Sequence, residues 1–253
     1  MATFTQSDDL RGAEFTGTDL RGARFAGADL GDVVMRGVDI AGAEIDSPWL
    51  FEDGNTLTVN GVDVMPFVDA ELNRRFPGRA DRNAADPEGL CAAWAAIEQT
   101  WAATLDRVAA MPAGTADVSA GGEWSLAQTL RHLVAATDIW LGRAILKNEQ
   151  PYHPLGLMFS GAHAYGVDMS VFVTTAPSYA EVLEARAGRV AMVRGFLAAV
   201  TPDDLARPCQ SPWNEAHPHT VLSCLHVIFG EEWEHHRYAL RDLDAIAASP
   251  GPG

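Results

Sequence analysis

The sequence predicts a mainly helical protein with a small β part: a four-helix bundle preceded by a short coil and a β-hairpin. Three observations carry this. Apolar residues recur at every fifth position from Leu10 to Ile45, a period that suits neither helix nor strand but fits a coil built from five-residue blocks. Asn60-Gly61 separates two β-prone runs, the strongest short signal for a hairpin because both residues tolerate positive φ. Beyond residue 86, four stretches carry apolar stripes at helical spacing, the pattern of a helix bundle.

The elements follow in order. Leu10, Phe15, Leu20, Phe25, Leu30, Met35, Ile40 and Ile45 form the series, with Gly, Ala, Thr, Asp and Arg between them. Each block would form one side of a four-sided coil and send one side chain to its axis. The series stops near Ile45, after about two coils. A hairpin is expected between Thr56–Val59 and Val62–Met65, and 76–86 reads as a linker by composition. The boundaries are therefore 1–50 for the coil, 51–85 for hairpin and linker, and 86–253 for the bundle.

In the bundle, Asp86 and Pro87 are start signals for a first helix carrying Leu90, Trp94, Ile97, Trp101, Leu105 and Val108. Ser125 and Gln128 form a capping-box pattern opening a second helix that runs to about Lys147. A long connection, 148–177, follows. The third helix opens at Ser178 with Glu181 and carries Val182, Leu183, Val190, Val193 and Leu197; the fourth runs from about Thr220 to Ala247. The long connection implies wiring other than simple up-down-up-down.

Composition narrows the function. A net charge of −16 over 253 residues argues against nucleic acid, which needs clustered Lys and Arg. No run reaches the roughly 20 apolar residues of a membrane span, and the N-terminus lacks the pattern of a secretory signal. Three cysteines without metal-type spacing fit reduced thiols, so a cytoplasmic location is expected.

The fourth helix bears the chemistry. Its core stripe reads Leu225, Phe229, Glu232, His236, Ala239, Leu243, so two ionisable residues occupy core positions and need compensation. Residues four apart lie roughly 40° from each other around a helix, so Glu232 and His236 could share one cation. Spacing alone equally allows a buried hydrogen-bonded arrangement. His132, on the second helix beside Thr129, Ala135 and Ala136, suits either a pocket wall or the surface. His235 points about 100° away from His236 and reads as a supporting or surface residue, as do His153, His163, His217, His219 and His226. Cys224 reads as core, Trp124, Trp140 and Trp233 as packing, and Arg143 and Arg237 as surface.

Two resemblances add to this. AEFTGTDLRGARFAGADLGD resembles the pentapeptide-repeat family, which implies a short right-handed β-helix. GEWSLAQTLRHLVAATDIWLGR and CLHVIFGEEWEHHRYALRDLD resemble the DinB/YfiT-type four-helix bundles, over roughly 86–247. In those, one histidine follows a Trp-Ser cap and two further ligands stand four apart on the last helix. The acid-then-histidine order is similar to the mycothiol-dependent maleylpyruvate isomerases. Carried over by position, the resemblance implies metal ligands His132, Glu232 and His236, with zinc the best-suited divalent ion. It further implies a low-molecular-weight thiol such as mycothiol as cofactor and an electrophilic small molecule as substrate, in S-transfer or thiol-dependent isomerisation. The competing reading is a non-catalytic metal-binding or interaction module with a vestigial or structural metal. A DNA-mimicking repeat protein acting on a topoisomerase ranks last, since two coils span too little duplex. A homodimer through the coil is left open.

Overall fold

The computed structural model describes residues 3–5, 8–51, 54–159, 161–213 and 218–249. The chain divides into two units, Met1–Asp46 and Ser47–Gly253.

In the first unit the five-residue period appears as a ladder of turns. Ala13, Ala23, Val33 and Ala43 donate their N–H groups to the carbonyls of Leu10, Leu20, Leu30 and Ile40 at 2.9–3.2 Å. Each turn needs a positive φ at its third residue, supplied by Gly12, Gly22, Asp32 and Gly42. The aspartates before the turns brace them, the carboxylates of Asp9, Asp19, Asp29 and Asp39 accepting from the N–H two residues on. The expected β-helix is not established in this unit. Among the described residues of this unit there is no strand, and the eight apolar residues of the series are 44–67% exposed. About two coils are too few to give a stacked interior, because a solenoid buries its core only between neighbouring repeats.

The second unit is mainly helical with two small two-stranded sheets. Strands β1 (Thr58–Val59) and β2 (Val62–Asp63) pair antiparallel, with Val59 opposite Val62. Asn60 and Gly61 make the turn at φ 50° and 80°, as their identity requires. The region beyond is not all linker: α1 spans Met65–Arg75. It is held by Arg79 and Arg82, which donate to Asp69 at 2.7 and 2.8 Å.

Four long helices follow: α2 (Pro87–Ala109), α3 (Leu126–Thr137), α4 (Tyr179–Leu197) and α6 (Val221–Ala248). Their expected caps are all present. Asp86 accepts from the Gly89 N–H, and Ser125 with Gln128, Ser178 with Glu181 and Thr220 with Ser223 form reciprocal capping boxes. The second helix continues past Thr137 as a wider π-helical run, Asp138–Ile145, in which Leu146 donates to Leu141 five residues back. Short α5 (Pro202–Ala206) precedes β3 (Pro208–Cys209), which pairs with β4 (His219–Thr220) at the start of α6.

Neighbouring pairs in the bundle are α2 with α4 and α6, and α3 with α4 and α6. The successive helices α2 and α3 thus stand at opposite corners, which is the departure from up-down-up-down wiring that the long connection implies. The core lies between the four, around Trp94 stacked on Phe229 at 5.7 Å, with Leu90, Ile97, Leu130, Leu133, Leu225, Ile228 and Leu243 fully buried. Among the described residues no helix is long and apolar enough to cross a membrane.

Candidate metal centre

The predicted core stripe of α6 is buried along its whole length, Glu232 at 1% and His236 at 3% exposure included. Neither residue faces His132. Arg186 of α4 reaches the Glu232 carboxylate with one guanidinium nitrogen, at 2.5 and 2.6 Å from its two oxygens. Burial pushes the Glu232 carboxyl up, and Arg186 opposes it. The His236 Nε2 lies 2.8 Å from the Thr104 hydroxyl of α2. Because that hydroxyl gives its hydrogen to the Thr100 carbonyl at 3.2 Å, it accepts from the imidazole N–H. Burial pushes His236 down to about 4. The ligand set His132, Glu232, His236 is corrected accordingly: the two core residues take protein partners, and only His132 belongs to a cluster of metal-binding groups.

That cluster is His132, Glu231 and His235, whose ligand atoms lie within 4.8 Å of one another. Glu231 and His235 are also four apart, one residue before the predicted pair, and face the groove between α6 and α3. Glu231 Oε2 lies 3.4 Å from His132 Nε2 and 3.1 Å from His235 Nε2. Ligand atoms around a tetrahedral zinc, each roughly 2.0–2.2 Å from the ion, are themselves roughly 3.3–3.6 Å apart. The three side chains are partly exposed, at 12%, 32% and 15%, which leaves one side open.

The protonation pattern fits a cation. His132 Nδ1 lies 3.1 Å from the Leu157 carbonyl, which only accepts, so Nδ1 carries the hydrogen. Nε2 is thereby turned to the Glu231 carboxylate, where it donates a hydrogen bond when protonated and offers a lone pair to a cation when not. Burial raises the Glu231 carboxyl, but the hydrogen bonds and charges of His132 and His235 outweigh it and hold the group far below the usual carboxylate range. It is therefore anionic at neutral pH.

Trp124 completes the surroundings, its ring 4.9 Å from that of His132 and 6.1 Å from that of His235. Tyr238 lies 5.8 Å from His235 on the other side. The connection 148–177 reaches the site through Leu157, whose N–H also binds the Arg131 carbonyl at 3.0 Å.

The remaining sequence candidates lie elsewhere. His226 donates its Nε2–H to the Ala84 carbonyl, 2.9 Å away, and so ties α6 to the segment before α2. His219 meets the Ser223 hydroxyl at 3.1 Å. His153 takes the Leu155 N–H on Nδ1; His163 is exposed in a short turn; His217 lies outside the described residues. Cys224 is core, its thiol pushed up to about 12 by burial and by Cys209. Trp140 packs on His219 and Trp213, Trp233 on His236, Arg143 binds the Tyr152 hydroxyl and Arg237 binds Glu234. Reading the stripe found the buried pair; what it missed was that the half-buried pair one residue earlier converges with His132.

Residues 96–239 match the DinB superfamily, a span that contains all three clustered residues. Residues 9–44 match pentapeptide repeats in eight copies. No curated protein and no solved structure matches the chain significantly.

Proposed function

The chain belongs to the DinB superfamily, and on that premise we propose that its bundle is a metal-dependent enzyme of thiol chemistry. The metal is held by His132, Glu231 and His235, and zinc is the ion that two imidazoles and a carboxylate suit best. The observation that carries this reading is the convergence of three ligand atoms within 4.8 Å. When bound, such an ion acidifies a coordinated thiol or water and so supplies a nucleophile near neutral pH.

The protein's own groups would divide the work. The Leu157 carbonyl holds His132 in the tautomer that presents Nε2. Glu231 contributes the negative charge that lowers the net charge of the centre. Trp124, against both imidazoles, restricts water on one side, leaving the open side for a low-molecular-weight thiol of the mycothiol type and an electrophilic small molecule. The reaction class is S-transfer or thiol-dependent isomerisation.

Elemental analysis of the purified chain tests the first half, with about one divalent ion per chain expected and none in His235→Ala. Loss of free thiol on mixing the metal-loaded protein with mycothiol and an electrophile tests the second. Metal without thiol consumption would leave a non-catalytic metal-binding module, and a metal-free native protein would end both readings.

A further inference from the structure

The residues that turned out not to face the groove have a role of their own. Around helix α6, Glu231 and Glu232 are about 100° apart, as are His235 and His236. The groove pair points to α3, while the core pair is gripped from two other helices, Glu232 by Arg186 of α4 and His236 by Thr104 of α2. We infer that Arg186, Glu232, Thr104 and His236 are positioning residues that fix the rotation of α6 about its own axis and thereby aim Glu231 and His235 at His132. This rests on the metal-centre reading above.

The geometry makes such a lock necessary. A rotation of about 20° moves an atom roughly 6 Å from the helix axis by about 2 Å, whereas metal–ligand distances must hold within about 0.2 Å. Apolar packing is non-directional. A guanidinium bound to both oxygens of a carboxylate and an imidazole bound to a hydroxyl are directional, and here they act on successive turns of one helix.

The energetics point the same way. A buried ion pair is a poor source of stability, since apolar residues of similar volume often serve as well or better. This one is also incompletely satisfied: Arg186 Nη1 and His236 Nδ1 are buried without a hydrogen-bond partner among the described residues. Such a layer costs stability, and a directional role accounts for its presence where apolar side chains would otherwise fit.

The experiment loads full-length protein with Co(II) and reads its affinity by competition and its visible absorption bands, which report coordination geometry independently of turnover. The double variant Arg186→Met/Glu232→Leu keeps the core filled but removes the directional contact. It should stay folded, bind Co(II) at least tenfold more weakly, and show altered bands. Thr104→Val should weaken binding about threefold, and Thr104→Ser, which restores the hydroxyl, should return it to the wild-type value. A folded double variant with wild-type affinity and bands overturns the inference. If that variant does not fold, the threonine pair decides: equal affinity in Thr104→Val and Thr104→Ser overturns it. Wild-type protein that takes up no Co(II) would bring down the metal-centre reading itself, and this inference with it.

Discussion

Helix α6 carries the same two residue types twice, on two faces. On the core face, Glu232 and His236 are buried and answered by Arg186 and Thr104. On the other face, Glu231 and His235 are partly exposed and stand together with His132. The difference teaches that depth of burial is a poor guide to metal ligands. A deeply buried ionisable group must already be compensated within the protein, or the fold would not tolerate it. On the proposed reading, the ligands are instead the partly exposed groups whose ligand atoms converge.

The largest expected effect separates the two faces by stability. Glu232→Ala leaves the Arg186 guanidinium buried and alone, and should cost about 3–5 kcal/mol in urea unfolding of metal-free protein; Glu231→Ala, which removes a partly exposed carboxylate, should cost clearly less. Comparable losses would erase the distinction. Next comes acid. His236 sits at about 4 in the folded protein against 6.5 as its ordinary value, so the unfolded chain binds the proton first. Its contribution, roughly 3 kcal/mol, is complete above pH 6.5 and fades as pH falls toward 4. Urea midpoints measured across that window should fall steadily, and less so in His236→Gln. Glu231 adds loss in the same sense at lower pH, because its depressed carboxyl gives stability only above the ordinary carboxylate range.

Metal affinity sharpens the contrast from the other side. His132→Ala or His235→Ala should weaken zinc binding by more than about a hundredfold, beyond the 10- to 100-fold typical of losing a supporting contact. The smallest effect is expected in the first unit. Phe25 is 63% exposed, so Phe25→Ser should alter stability by less than about 0.5 kcal/mol. A large loss there would mean that the five-residue series is enclosed after all.

Much of this molecule was legible because its signals are local. Asp86, Ser125, Ser178 and Thr220 cap the helices they were expected to start, and Asn60-Gly61 turns where positive φ demands it. The core stripe of α6 was right residue by residue. The proposed ligand pair stands one residue away from the expected one, for a physical reason: an acid and an imidazole one turn apart occur in two overlapping frames, 231/235 and 232/236. Only the partners choose between them, and Arg186 and Thr104 come from 46 and 132 residues away in sequence. Helix α1 was hidden for another reason. Its Pro66 and its polar surface without a buried residue resemble a linker until Arg79 and Arg82 anchor it. The coil was legible only as a repeat, because periodicity states which residues share a side, not whether enough neighbours exist to cover them.

The contact between His132 and Leu157 has one more consequence. It is made by a main-chain oxygen, which every amino acid at that position supplies. The connection spanning 148–177 can therefore exchange its side chains, and with them the shape and polarity it offers to an incoming molecule, while the imidazole keeps its orientation. If the bundle is the enzyme proposed above, selectivity and reactivity are thereby separable in heredity: drift along the connection can retune what is admitted without disturbing the imidazole beneath it.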